Sequence, residues 1–221
     1  MLNHPDIERP EPRWPAVIAI FASAALHVTL PPSMHLGPPG LIAGTVVVLV
    51  VVAWTTRRAG LHRLNDWAGF GIVGLLTAGL LYGLGALLYG LVHHTELAPQ
   101  LLSSATVLWV TNVLVFATLY WRLDAGGPND RERHAVHTRG AFLFPQMTFS
   151  TSGALAESIA EEQRWRPGYV DYLFVAFNTS TAFSPTDVPV VSPWAKLAMM
   201  TQSVISLITV VLLAGRAVNI L

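Results

Sequence analysis

The chain has 221 residues, of which 52% are hydrophobic and 12% are charged. Soluble domains carry about 25% charged residues, so the composition predicts an integral membrane protein rather than a soluble one. The formal net charge is zero, which argues against nucleic acid as a partner, and the absence of Cys excludes disulfides and thiolate chemistry.

Five apolar stretches are long enough, or nearly so, to cross a bilayer, which takes about 17–25 residues. Pro31 and Pro32 end the first stretch, and a turn beginning at Asp124 ends the fourth. The stretches cover residues 14–30, 40–56, 67–92, 101–121 and 193–217. These lengths predict an all-α membrane protein with five transmembrane helices.

Basic residues concentrate in loops that alternate along the chain. Arg13 precedes the first stretch, and loops 57–66 and 122–167 carry most of the other arginines, whereas loops 31–40 and 93–100 carry none. The positive-inside rule therefore predicts a cytoplasmic N-terminus in a multi-pass protein of the cell membrane. The first apolar stretch lacks a small-residue cleavage site, so it is interpreted as a retained helix.

The sequence divides into three regions. Residues 1–121 form a four-helix transmembrane region, and residues 122–167 form a cytoplasmic connector that is too long for a simple turn. Within the connector, the apolar residues 141–149 are too few to span and are interpreted as a buried or interfacial link. Residues 151–165 have the pattern of an amphipathic helix on the membrane or on another subunit. Residues 168–221 hold a polar-ended helix, a loop and the final transmembrane helix.

The helix predicted at residues 168–183 is apolar in its first half, whereas Asn178, Thr179 and Ser180 make its second half polar. It is short for a span, and irregular backbone at membrane depth is tolerated only where protein or water covers it. We therefore expect a re-entrant half-helix whose chain enters and leaves on one side. A complete crossing by residues 168–185 is the rival topology.

Several residues of this last region fall in a recognisable order. They are Asp171, Leu173, Phe174, the run from Thr181 to Asp187, Pro189 and Lys196. The region resembles the pore helix, filter and final helix of the potassium-channel superfamily, with its pattern D-x-L-x-F, then T-T-V-G-Y-G-D-x-x-P, then a basic residue. The whole chain is also similar to uncharacterised bacterial multi-pass membrane proteins. The channel resemblance implies a homo-oligomer, a tetramer in that superfamily, with inorganic ions as its partners.

The resemblance assigns the filter to one run of residues. These are Thr181, Ala182, Phe183, Ser184, Pro185, Thr186 and Asp187. Potassium filters need glycines, whose backbone freedom lets the carbonyls face the ion. Ser184 and Thr186 hold the glycine positions, so a potassium-type filter is not expected. We expect side-chain oxygens to bind the ion instead, with Asp187 of each subunit contributing to a carboxylate ring that selects cations.

Polar residues also recur along the final helix. Gln202, Ser206 and Thr209 share one face, which is predicted to line an aqueous pathway; the alternative is hydrogen bonding between helices. Asn112, a lone polar residue in the fourth apolar stretch, is interpreted as a packing contact, with a substrate ligand as the alternative. The histidines lack the spacing of a metal site, so no metal and no cofactor is predicted.

These patterns lead to three hypotheses about function. The first is a cation-conducting channel whose pore passes through the loop at Thr181 to Asp187. The second is a transporter of small solutes or ions, and the third is a regulatory or structural membrane subunit without a pore. The sequence has no Walker loop, nucleophile elbow or paired-carboxylate motif, so an enzyme is not predicted.

Overall fold

The structure, a computed structural model, describes residues 11–93, 97–133, 140–147, 166–181 and 188–220. Its described residues form seven α-helices, and their only β-type pairing is an isolated bridge between Phe142 and Val190. The helices are α1 (Trp14–Val28), α2 (Leu41–Arg58), α3 (His62–His93), α4 (Ala98–Leu123), α5 (Pro128–Arg133), α6 (Tyr169–Thr181) and α7 (Pro193–Ile220).

Four of these helices, α2, α3, α4 and α7, are long and apolar enough to cross a membrane. The helix α1 is apolar but has 15 residues, slightly fewer than the about 17 that a span takes. The helix α6 is shorter still, with 13 residues. The described chain is therefore all-helical and typical of a multi-pass membrane protein, as the composition predicted.

A glycine turn joins α2 to α3. Gly60 has a φ of 72°, a left-handed value that glycine adopts without steric cost. Its N–H donates to Arg57 O at 3.1 Å, and the N–H of Leu61 donates to Thr56 O at 2.9 Å. This is the pairing of a Schellman motif, which ends a helix while satisfying its last carbonyls. The chain reverses there, so that α3 packs against α2.

The helix α4 is the most buried of the four long helices, and it packs against α1, α3, α6 and α7. Two glycines let α3 approach its neighbours closely. A Cβ on Gly79 would lie 2.7 Å from Ile42 Cδ1, and a Cβ on Gly83 would lie 3.0 Å from Leu108 Cδ2. Larger residues there would push α3 away from α2 and α4.

One end of the bundle gathers the start of α1, the end of α2, the start of α3, the end of α4 and the helix α5; we call it the basic end. Arg13 and Arg57 both pair with Glu132, at 3.0 and 3.2 Å, and Arg122 pairs with Asp66 at 3.2 Å. Consecutive helices thus run in opposite directions. The start of α1, the turn between α2 and α3, and α5 share one side, as the arginine pattern predicted; that this side is cytoplasmic stays a prediction.

The structure describes the connector of residues 122–167 in part. Ala141, Phe142 and Phe144 are buried in the core, as the buried alternative for this link predicts, whereas Leu143 is exposed. The amphipathic helix predicted at residues 151–165 lies outside the described residues. The six-residue helix α5 was not expected from the sequence.

Candidate functional site

The helix α6 begins at the basic end, against the last turn of α4. Tyr172 donates its hydroxyl proton to Asp124 Oδ2 at 2.6 Å, and both side chains are fully buried. Asp171 Oδ2 accepts the N–H of Gly168 at 2.8 Å, which holds the chain at the entry to the helix. Asp171 thus lies in the first turn, where the resemblance places the start of a pore helix.

The other end of α6 is fixed by one residue of α7. Gln202 donates through Nε2 to Ala176 O and to Ser180 Oγ, both at 2.7 Å. Its Oε1 accepts the hydroxyl proton of Tyr120 at 2.6 Å. Gln202 and Tyr120 have no exposed surface, so this is a buried junction of α4, α6 and α7, which we call the polar junction.

Asn112 extends the polar junction along α4. Its Nδ2 donates to Ser206 Oγ at 2.8 Å and to Gln202 O at 3.2 Å. Because Asn112 lies near the middle of α4, these bonds place the last turn of α6 near the middle of the bundle. They also confirm the expectation that Asn112 is a packing contact.

The helix α7 also begins at the basic end. Leu143 donates its N–H to Pro189 O, and Val191 donates its N–H to Ala141 O, both at 2.9 Å. Ala141 in turn donates its N–H to Asp124 Oδ1 at 2.5 Å. Both α6 and α7 therefore start beside the last turn of α4, although α6 stops near the middle of the bundle.

The predicted filter residues fall mostly outside the described part of the chain. Thr181 is described as the last residue of α6, and its Oγ1 donates to Asn178 O at 3.1 Å. Residues 182–187, which include Ser184, Thr186 and Asp187, lie outside it. Their role as ion ligands stays a prediction.

The predicted pore-lining residues of α7 lie inside the helical bundle. Gln202, Ser206 and Thr209 are each no more than 1% exposed. Gln202 and Ser206 make the interhelical hydrogen bonds of the packing alternative, and Thr209 donates to Ile205 O of its own helix at 3.0 Å. Lining an aqueous pathway would require water inside the bundle of one chain, and that role stays a prediction.

The outward face of α7 is mostly apolar, with Thr201 as an exposed hydroxyl. It carries the exposed side chains of Leu197, Met200, Val204, Leu207 and Val211. The helix α6 likewise exposes Val170, Phe174 and Phe177. These surfaces suit contact with lipid or with another subunit, since neither requires polar groups.

Sequence reasoning missed the part played by Tyr120 and Ser180. Both are buried, at 0% and 1% exposure, and both bond to Gln202. A usable signal was present, because a buried tyrosine hydroxyl usually has a hydrogen-bond partner. The identity of that partner depends on which helices are neighbours, and this is a property of the fold.

A second polar group lies at the basic end, around Arg131. Its Nη1 donates to Trp121 O and to Asp124 O, both at 2.8 Å, and its Nη2 pairs with Glu11 Oε2 at 3.1 Å. Arg131 thereby caps the last carbonyls of α4. Nearby, burial lowers the pKa of the Arg13 guanidinium, and the charge of Glu132 opposes that shift.

Within the described residues, no group of three or more His, Asp or Glu side chains is placed to hold a metal ion. The buried rings of His27 and His35 have centroids 5.3 Å apart, and no third ligand accompanies them in the described part of the chain. The described residues thus form a helical bundle, typical of a multi-pass membrane protein, in which a buried polar junction holds a short helix. No protein-family model, no curated protein and no solved structure matches this chain.

Proposed function

We propose that the chain is one subunit of a cation-conducting homo-oligomer in the cell membrane, with five spanning helices and α6 as a re-entrant half-helix. One observation carries the proposal. Both α6 and α7 begin at the basic end, whereas the last turn of α6 is bonded to Gln202 near the middle of the bundle. This geometry favours the re-entrant topology over a complete crossing by residues 168–185.

The length of α6 supports this reading. At about 1.5 Å per residue, its 13 residues extend about 20 Å, which is less than the about 30 Å of a hydrocarbon core. A helix that ends inside the bilayer needs partners for its last polar groups. Gln202 supplies them for Ala176 O and Ser180 Oγ.

The direction of α6 supports a cation as the permeant ion. Its N-terminus is at the basic end and its C-terminus points toward the middle of the bundle. The C-terminal end of a helix carries a partial negative charge of about half an electron, and half-helix ends of this kind coordinate cations in transporters. Asp187, in the loop that follows, adds a full negative charge.

In this proposal the two groups of polar residues have separate tasks. Gln202, Ser206 and Asn112 position the half-helix, because their bonds are made inside one subunit. The ion ligands come from the run Thr181 to Asp187. The apolar outward face of α7 then meets neighbouring subunits around the axis, in a tetramer by the channel resemblance.

The test is ion flux through purified protein in liposomes, measured for sodium, potassium, protons and chloride. We expect cation flux in the native chain, altered selectivity or conductance in Asp187→Asn, and reduced flux in Thr186→Val. Thr56→Val is the matched control, since Thr56 Oγ1 bonds only to carbonyls of its own helix α2. Absence of flux for all four ions, with a monomer in mild detergent, would falsify the proposal.

The same polar junction favours a second candidate, a membrane subunit without a pore in which α6 is a folding device. The side-chain oxygen and nitrogen of Gln202 are both hydrogen-bonded to protein groups in this buried junction, so the junction needs no ion for its stability. This candidate predicts a folded protein without flux, in which Asp187→Asn and Thr186→Val have no effect on activity of a partner. The flux assay above separates the two.

A further inference from the structure

A cavity of about 400 Å³ lies between α1, α2, α3 and α4 near the basic end. Its wall is apolar and includes Val17, Ile20, Val50, Trp54, Ile72 and Trp121. Trp54 also reaches the surface of the protein, where it is 55% exposed, so the cavity opens beside α2. Its volume falls in the range of about 300–1,000 Å³ that is usual for ligand pockets.

Three arginines line one end of this cavity: Arg13, Arg57 and Arg122. Glu132 pairs with both Arg13 and Arg57, and Asp66 pairs with Arg122. Each of the three guanidinium groups thus has a carboxylate partner, and Arg13 and Arg57 share that of Glu132.

One atom of the cluster has no partner among the described residues. Arg13 Nε is buried and makes no hydrogen bond to them, although the other end of the guanidinium bonds to Asn129 and Glu132. A buried donor without a partner is costly, more so on a charged group. Since Arg13 and Arg57 also share the one carboxylate of Glu132, an anionic oxygen in the cavity would give this pair of arginines a further negative partner.

We propose that this cavity binds a membrane lipid with a singly negative phosphate headgroup. One acyl chain occupies the apolar part, and the phosphate bonds to Arg13 and Arg57. Basic pockets between transmembrane helices on the cytoplasmic side bind anionic lipid headgroups, and the apolar wall disfavours an anion that has no acyl chain. The headgroup end coincides with the ends of four helices, where a bilayer places its phosphates.

The opening of the cavity has the features that such a lipid needs. Arg58 lies over the ring of Trp54 with its guanidinium carbon 3.9 Å from the ring centroid, so a further cation borders the entrance. Tryptophan is also the residue that membrane proteins favour at the headgroup level. The proposal concerns binding alone and does not depend on whether the protein conducts ions.

The test measures binding of phosphatidylglycerol and of phosphatidylcholine to the full chain in detergent, by native mass spectrometry and by melting temperature. Phosphatidylglycerol should bind at least about 10-fold more tightly. Arg57→Gln should weaken it by about 10-fold or more, as expected for loss of a charged hydrogen bond. Arg63→Gln is the control, because Arg63 is exposed and does not line the cavity.

Val17→Phe tests the acyl chain separately, since it fills the cavity and leaves the arginines in place. It should weaken phosphatidylglycerol binding while the lipid-free melting temperature shows that the protein is folded. Equal binding of the two lipids, or equal losses in Arg57→Gln and Arg63→Gln, would overturn the proposal. So would equally tight binding of glycerol 3-phosphate, which has no acyl chain, or of oleate, which has no phosphate.

Discussion

Replacing Gln202 with leucine removes three hydrogen bonds from the polar junction: those to Ala176 O, Ser180 Oγ and the Tyr120 hydroxyl. An interhelical hydrogen bond in a membrane protein contributes about 0.6 kcal/mol on average and at most about 1.7 kcal/mol, so three contribute about 2–5 kcal/mol. The Tyr120 hydroxyl makes no other bond among the described residues, and leaving it buried and unpaired adds to the loss. We therefore expect Gln202→Leu to lower the free energy of unfolding by about 3–5 kcal/mol.

The measurement is reversible unfolding of the purified protein in mild detergent with increasing SDS. Gln100→Leu is the matched control, because Gln100 Oε1 accepts one long bond, at 3.3 Å, at the exposed start of α4; its effect should stay within about 0.5 kcal/mol. A double-mutant cycle with Tyr120→Phe should show a coupling of at least about 0.5 kcal/mol. A Gln202→Leu protein as stable as the control variant, or an additive cycle, would refute the reasoning.

Further expectations concern the basic end. Gly69→Ala should destabilise the protein by about 1–3 kcal/mol, because the new Cβ would lie 2.3 Å from the Arg122 guanidinium. Gly74→Ala should stabilise it by about 0.5–1 kcal/mol, because no atom lies within 4 Å of the position of its new Cβ. Equal melting temperatures of the two variants would contradict this expectation. Arg131→Gln should lower the free energy of unfolding by about 3–5 kcal/mol, since it leaves the largely buried carboxylate of Glu11 without its cation. Arg63→Gln should leave the free energy of unfolding almost unchanged. Finally, Arg63→Cys introduces the sole thiol of the chain, which an impermeant maleimide should label only from the cytoplasmic side; labelling from outside would reverse the predicted orientation.

The helical architecture was predictable because apolar length and proline placement leave few choices. The expected stretch 193–217 became α7, and the stretch 101–121 became α4 with small extensions at both ends. The third helix begins at His62 rather than near residue 67, because Asn65 and Asp66 bond across the basic end to other helices. A hydropathy pattern contains no information about such bonds, so the predicted helix begins only after the first, polar turn of the observed one.

The polar contacts were less predictable, because each one depends on which helices are neighbours. The arginine pattern predicted which segments share one end of the bundle, but not the ion-pair partners Glu132, Asp66 and Glu11, which lie far away in sequence. In the same way, the spacing of Gln202 and Ser206 predicted one polar face of the final helix, but not whether that face points toward a pore or toward the other helices. The structure turns that face inward, toward Asn112 and Tyr120.

That inward direction constrains how any pore could form. Burial can only increase when subunits associate, so Gln202 cannot become exposed on a central axis while its bonds to Ser180 and Tyr120 persist. In the proposed channel, the axial pore would be lined by the outward face of α7 and by the segment after Thr181. The outward face is apolar at Val204, Leu207 and Val211, and Thr201 is an exposed hydroxyl on it. The charged ligand of such a channel would therefore be Asp187 in the predicted filter, whereas the polar junction stabilises the half-helix. Variants of the filter should then alter ion flux, and variants of the polar junction should alter stability.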